Sequence, residues 1–143
     1  MKILVLNGPN LNMLGYSGGS LTGETTLAEL DKALAAYGAL RYDGLELVFY
    51  QTNHEGQLVD MIQKAGLQYD GLILNPSALG SYSLILRDAV ELASLPTAEV
   101  LLANPQKQDK PVERSLIGEV SGAQFIGEHL EPYEKALDFL MGL

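Results

Sequence analysis

The chain has no cysteine and no tryptophan among its 143 residues, only two histidines, and nine Lys or Arg against eighteen Asp or Glu. Without cysteine there are no disulfides, no thiolate nucleophile and no Cys-based zinc site, a composition that suits a reducing cytoplasm. The two histidines, His54 and His129, form no His-x-x-x-His or Glu-x-x-His pair. A catalytic zinc ion usually takes two or three nitrogen ligands, so no metal is expected, and His54 beside Glu55 reads as a loop or helix-start residue. The net charge of −9 speaks against nucleic acid as a partner, because phosphate backbones bind Lys- and Arg-rich surfaces. No apolar run approaches the ~20 residues that cross a bilayer, and Met1–Leu6 is too short for a signal-peptide core. A soluble protein of the cytoplasm, with neither membrane nor nucleic acid as partner, is the expectation.

Hydrophobic residues make up 47% of the chain, enough for one ordinary core and one domain over residues 1–143. Short apolar runs at Ile3–Leu6, Leu45–Tyr50, Gly71–Leu74, Ala98–Leu102 and Gln124–Ile126 alternate with segments of helical period. The latter are marked by Leu27/Leu30/Leu34, Leu58/Ile62, Leu86/Ala89/Val90/Ala93 and Leu130/Tyr133/Leu137/Leu140. Thr26 and Glu29 have the spacing of a capping box that starts the first helix. Alternation of this kind predicts βαβ units and a five-stranded, doubly wound parallel sheet between helix layers. Periodicity alone leaves the strand order open.

In such sheets ligands bind beyond the carboxyl ends of the strands. Three strands end there on Asn with Pro close by: Asn7-Gly8-Pro9-Asn10-Leu11-Asn12, Asn75-Pro76 and Asn104-Pro105. One such exit is ordinary turn chemistry, since Asn and Pro are common loop residues. Three on one edge point to a crevice for a small polar molecule, because Asn both donates and accepts while Pro stiffens the exit. Gly15–Gly23 has the composition of a lid and lacks the Gly-x-x-x-x-Gly-Lys of a phosphate loop.

The opening Lys2-Ile3-Leu4-Val5-Leu6-Asn7-Gly8-Pro9-Asn10-Leu11-Asn12-Met13-Leu14-Gly15 resembles the signature of type II 3-dehydroquinate dehydratases. The likeness continues through Thr25-Thr26-Leu27, Gln51-Thr52-Asn53-His54-Glu55-Gly56, Asn75-Pro76, Arg87-Asp88-Ala89, Pro96, Glu99-Val100, Leu102, Gly127 and Tyr133. It covers the whole chain. The resemblance implies a flavodoxin-like three-layer α/β sandwich with strand order 2-1-3-4-5. It implies trimers, usually gathered into dodecamers, in a cytoplasmic homo-oligomer. It further implies anti elimination of water from an anionic substrate through an enolate, with no metal, Schiff base or other cofactor. That chemistry needs a base, a group to hold the enolate and an acid for the departing hydroxyl.

Carried over by position, part of this machinery is present. The resemblance gives Asn12 a role at the enolate, Asn75 a contact to a substrate hydroxyl, and Asp88 a reach into a neighbouring subunit. It gives Glu99 the orientation of the acid, and the backbone N–H groups of Leu102 and Ala103 the substrate carboxylate. Other positions differ in chemistry. The lid base is Thr22 instead of tyrosine and the lid arginine is Ser17. The substrate histidine is Ser81, with Leu79 in place of the tyrosine two positions before it. The acid histidine is Leu101, and two further basic positions are Gln108 and Val112. Threonine ionises far less readily than tyrosine and leucine carries no proton to donate, so ordinary dehydratase turnover is not expected. Candidates for relocated groups are Tyr16 in the lid, Tyr82 beside Ser81, and Glu99 itself, against packing roles for the tyrosines and a retained structural hydrogen bond for Glu99. Three readings follow: a divergent homologue that keeps a small-metabolite crevice, an atypical dehydratase with relocated groups, and a non-catalytic assembly protein.

Overall fold

The computed structural model describes residues 1–16, 25–102 and 115–143. Each predicted apolar run is a strand: β1 Lys2–Asn7, β2 Glu46–Gln51, β3 Gly71–Asn75, β4 Thr97–Leu102 and β5 Ala123–Gly127. At their carboxyl ends β1, β2 and β3 reach one residue past the apolar runs, where a polar residue still joins the ladder. Asn7, for example, pairs with Gln51 on one side and Asn75 on the other. Every pairing is parallel and the order is β2-β1-β3-β4-β5, the flavodoxin-like arrangement that the resemblance implies.

The helices fall on the predicted segments: α1 Leu27–Arg41, α2 Glu55–Gln68, α3 Leu84–Ala93 and α4 Glu131–Met141. Thr26 Oγ1 accepts from the Glu29 N–H at 3.2 Å, which satisfies one of the orphan donors at the start of α1. Ser83 caps α3 by accepting from the Leu86 N–H at 3.0 Å, and its hydroxyl donates to Glu55 at 2.7 Å, joining the starts of α2 and α3. Gly66 lets these two helices touch, since a Cβ there would lie 2.8 Å from the Ala93 carbonyl oxygen.

The central strands are apolar on both faces, so the sheet separates two cores. Leu4, Leu6, Leu72 and Leu74 pack under α2 and α3 with Leu58, Ile62 and Leu86. Ile3, Val5, Ile73, Ala98 and Val100 pack under α1 and α4 with Leu34, Tyr133 and Leu137. Each fully buried Leu or Ile contributes about 1.5–3 kcal/mol relative to exposure. On β4 this alternation turns Ala98 and Val100 to the second core. Glu99 and Leu101 therefore face the side of α3, which sets the chemistry of that edge.

Candidate functional site

The carboxyl ends of β1 and β3 are joined by a buried polar network. Tyr133 of α4 donates its hydroxyl to Asn7 Oδ1 at 2.5 Å and accepts from Asn75 Nδ2 at 2.9 Å. All three side chains are buried. Burial holds the Tyr133 phenol above its ordinary range against the lowering effect of the Asn75 bond, so it serves as a neutral donor and acceptor. Asn75 Oδ1 also accepts from the Ser77 N–H at 3.0 Å, which holds Ser77 in the left-handed region at φ 55°. Thus Asn75 uses both of its polar atoms inside the fold, with one amide hydrogen left over.

Asn12, by contrast, is exposed. Its Oδ1 accepts from Gln51 Nε2 at 3.4 Å, a long contact, and Gln51 also donates to the Gly8 carbonyl at 3.2 Å and Asn53 Oδ1 at 3.1 Å. Asn53 accepts from the Asn10 N–H at 2.9 Å, and Asn10 stands at φ 70°. Gly8 is required where the two strand exits meet, since a Cβ would lie 3.0 Å from the Pro76 carbonyl oxygen. Of the four non-glycine residues with positive φ among those described, Asn10, Ser77 and His129 follow β1, β3 and β5 at this edge, and Ser94 lies at the other. Left-handed backbone costs roughly 1–2 kcal/mol per residue, and such strain gathers where an edge is shaped for a ligand.

At β4 the site holds a carboxyl group. Glu99 is fully buried, with Oε2 accepting from the Ser115 hydroxyl and Oε1 from Gln124 Nε2 at 2.6 Å. Burial raises its pKa, opposed by the hydrogen bonds from Ser115 and Gln124. Gln124 reaches it because β5 is in register, Glu99 opposite Gln124, and because Gly118 leaves the space. Ser115 Oγ in turn accepts from the Ile117 and Gly118 N–H groups at 3.2 and 3.4 Å. Above the pair lies a cavity of about 210 Å³ lined by Ser77, Gly80, Ser81, Leu101 and Ser115. Its polar groups are hydroxyls and backbone, and no charged side chain lines it among the described residues.

The sequence-derived positions therefore divide. Ser81 and Leu101 border one cavity, and Glu99 lies beneath it. Ser81 donates its hydroxyl to the Ala78 carbonyl at 2.8 Å. Asn75 stands at the end of the neighbouring β3, Asn12 in the turn that follows β1, and Leu102 closes β4, half-buried. Asp88 is exposed on α3, and Leu79 is buried in the core under α2 and α3. Tyr16 is 72% exposed, and Tyr82 lines a different hollow with Glu55, Ser83, Leu84 and Ile85. Ser17, Thr22, Ala103, Asn104, Pro105, Gln108 and Val112 lie outside the described residues. No group of three or more His, Asp or Glu able to hold a metal ion is found among the described residues.

Sequence reading missed Ser115, Gln124 and the role of Asn7. A polar Gln inside an otherwise apolar strand was a signal for the second. Ser115 carries no signal, because it meets Glu99 only through the fold.

A family model described as Dehydroquinase class II matches residues 1–141. Among curated relatives, the 3-dehydroquinate dehydratase of Bacillus licheniformis is 43% identical over 141 residues, covering 97% of this chain and 94% of the relative. That of Bacillus subtilis is 39% identical over 138 residues, covering 96% and 92%. Among solved structures, a type II dehydroquinase from Butyrivibrio crossotus superposes with a TM-score of 0.88 at 34% identity, covering 99% of this chain and 97% of that one. A 3-dehydroquinate dehydratase-like protein from Bifidobacterium longum superposes with a TM-score of 0.73 at 29% identity, covering 99% and 96%.

Proposed function

The chain belongs to the class II dehydroquinase family, and from that premise we propose that it is a divergent 3-dehydroquinate dehydratase homologue. In this reading its edge crevice binds a small polar, anionic metabolite while ordinary dehydratase activity is lost or altered. The observation that carries the reading is Leu101 on the wall of the cavity that Ser115 links to the buried Glu99. The resemblance puts an acid there, and an alkyl side chain cannot move a proton. The exposed Asn12, in the turn after β1, offers its side-chain amide, and Asn75 at the end of β3 has one amide hydrogen to spare. A missing general acid or base typically lowers rate by ~10²–10⁴. Losses of linked groups do not simply multiply.

The test is the rise in enone absorbance when the purified protein at high concentration meets 3-dehydroquinate, with a thermal-shift scan alongside. A raised melting temperature with turnover at least a hundredfold below an ordinary relative is the expected pair of results. Turnover equal to that of the Bacillus subtilis protein would sink the reading. It would favour the second one, an atypical dehydratase of the shikimate pathway, for which the hydrogen-bonded Glu99–Ser115 pair beside the cavity is the supporting observation. Either reading takes no cofactor and places the protein in the cytoplasm. A trimer-based homo-oligomer goes with both, and Tyr82, Leu84 and Ile85, exposed around the start of α3, are in keeping with it.

A further inference from the structure

Ser115 is the polar link between a buried carboxyl group and an open cavity. Glu99 is sealed from solvent at 0% exposure, and Ser115, 5% exposed, both donates to it and lines the cavity with Ser77, Gly80, Ser81 and Leu101. Two glycines keep the group tight. A Cβ at Gly80 would lie 3.0 Å from Ser115 Oγ, and one at Gly118 would lie 2.9 Å from Gln124 Nε2.

We propose that Ser115 is a ligand-binding residue of this cavity that offers its hydroxyl hydrogen to an acceptor oxygen of the occupant when Glu99 is protonated and withdraws it when Glu99 is ionised. This deepens the crevice reading above and rests on it. The reason is a count of donors. An ionised carboxylate only accepts, so the single hydrogen of Ser115 goes to Glu99 Oε2 while its oxygen accepts from the Ile117 and Gly118 N–H groups. Nothing is then left for a ligand.

Protonation reverses the pattern. Oε1 faces Gln124 Nε2, itself a donor, so the proton sits on Oε2 and is donated to Ser115 Oγ. The Ile117 and Gly118 amides cannot accept, and the weaker 3.4 Å contact yields. The Ser115 hydrogen turns to the cavity. The occupant that benefits carries a carboxylate, keto or hydroxyl oxygen at that point, and its binding takes up a proton.

Among the described residues the Glu99 carboxyl bonds to Ser115 and Gln124, neither of them charged. Neither β3 nor β5 carries a charged residue, nor does the turn at Ser77–Ser81. On the remaining elements of that side, among the described residues, are Glu55, Asp60 and Lys64 of α2, Arg87, Asp88 and Glu91 of α3, and Glu119, with Arg87 Nε 3.5 Å from Glu119. Asp88 and Glu91 are exposed, and α4 lies on the opposite face of the sheet.

The test is titration calorimetry with 3-dehydroquinate between about pH 5 and about pH 9, in buffers of different ionisation heat, which brackets a raised carboxyl pKa. The wild type is expected to weaken by roughly 5–10-fold in all as pH rises through the Glu99 pKa and then to level off, with proton uptake on binding. Glu99→Gln, whose amide donates permanently to Ser115, should bind with flat pH dependence. Ser115→Ala should lose roughly 5–10-fold at low pH and flatten the profile, and Ser115→Thr should restore both. Asp31→Asn should leave the slope in place. A Ser115→Ala profile parallel to the wild type overturns the proposal while the crevice reading stands. If 3-dehydroquinate does not bind at all, the crevice reading falls, and carbon NMR of the ligand-free Glu99 carboxyl decides the pair. Its titration should move upward in Ser115→Ala, and an unmoved titration would refute the coupling.

Discussion

Asp31 sits part-buried on α1, and burial pushes its carboxyl up from 3.8 to about 6. A folded-state pKa above the unfolded one means that folding favours the protonated form. The stability associated with that proton is complete below the unfolded pKa and is lost as pH rises through about 6. Asp31→Asn keeps the neutral form at every pH. The full shift would be worth roughly 3 kcal/mol, which solvent screening of a part-exposed group reduces to about 1 kcal/mol. The variant should therefore melt a few degrees above the wild type at neutral pH and together with it below about pH 4; thermal melts by circular dichroism check this. A difference that persists in acid would trace the gain to packing. Residue chemistry was legible in the sequence where residue type alone decides it, as with Leu101, which cannot donate a proton anywhere. It was not legible for Glu99, whose protonation depends first on burial and then on Ser115 and Gln124, 16 and 25 residues away.

Between elements, the Tyr133 hydroxyl joins α4 to the ends of β1 and β3. Tyr133→Phe keeps the ring in the core and strands Asn7 Oδ1 and Asn75 Nδ2 without their partner in a buried place. Unsatisfied buried groups cost about 1–3 kcal/mol. Urea unfolding should show a lower midpoint with an unchanged slope, and a midpoint equal to the wild type would mean that the asparagines re-pair locally. The helical period of α4 named Tyr133 as a core position, which it is. Its hydroxyl bonds span 126 residues to Asn7 and 58 to Asn75, so no local pattern could reveal them. The elements themselves were legible because their cause is local, an apolar stripe every 3.6 residues or a short apolar run. Their ends were less so, since Asn7 and Asn75 are held in the ladder by neighbouring strands.

At the scale of the molecule, a net charge of −9 repels itself in the folded state. Raising salt from ~0.02 M to ~0.5 M shortens the screening length severalfold, and the melting temperature should rise by a few degrees in sodium chloride. A fall would mean that ion pairs such as Lys135–Glu131 at 2.7 Å outweigh the general repulsion. The same charge balance, the absent cysteines and the strand–helix alternation were all readable before any fold was known, because each is a property of composition or of residues a few positions apart. So were the Asn-bearing strand exits and the opening motif that mark the family. Tertiary structure alone decided which of those residues meet. Parallel strands are joined by crossovers of a dozen residues or more, so the partners of a polar group at one strand end come from distant segments. That is why Ser115 stands between Glu99 and the cavity, why Gln124 completes the carboxyl's bonds, and why Asn75 turns inward to Tyr133.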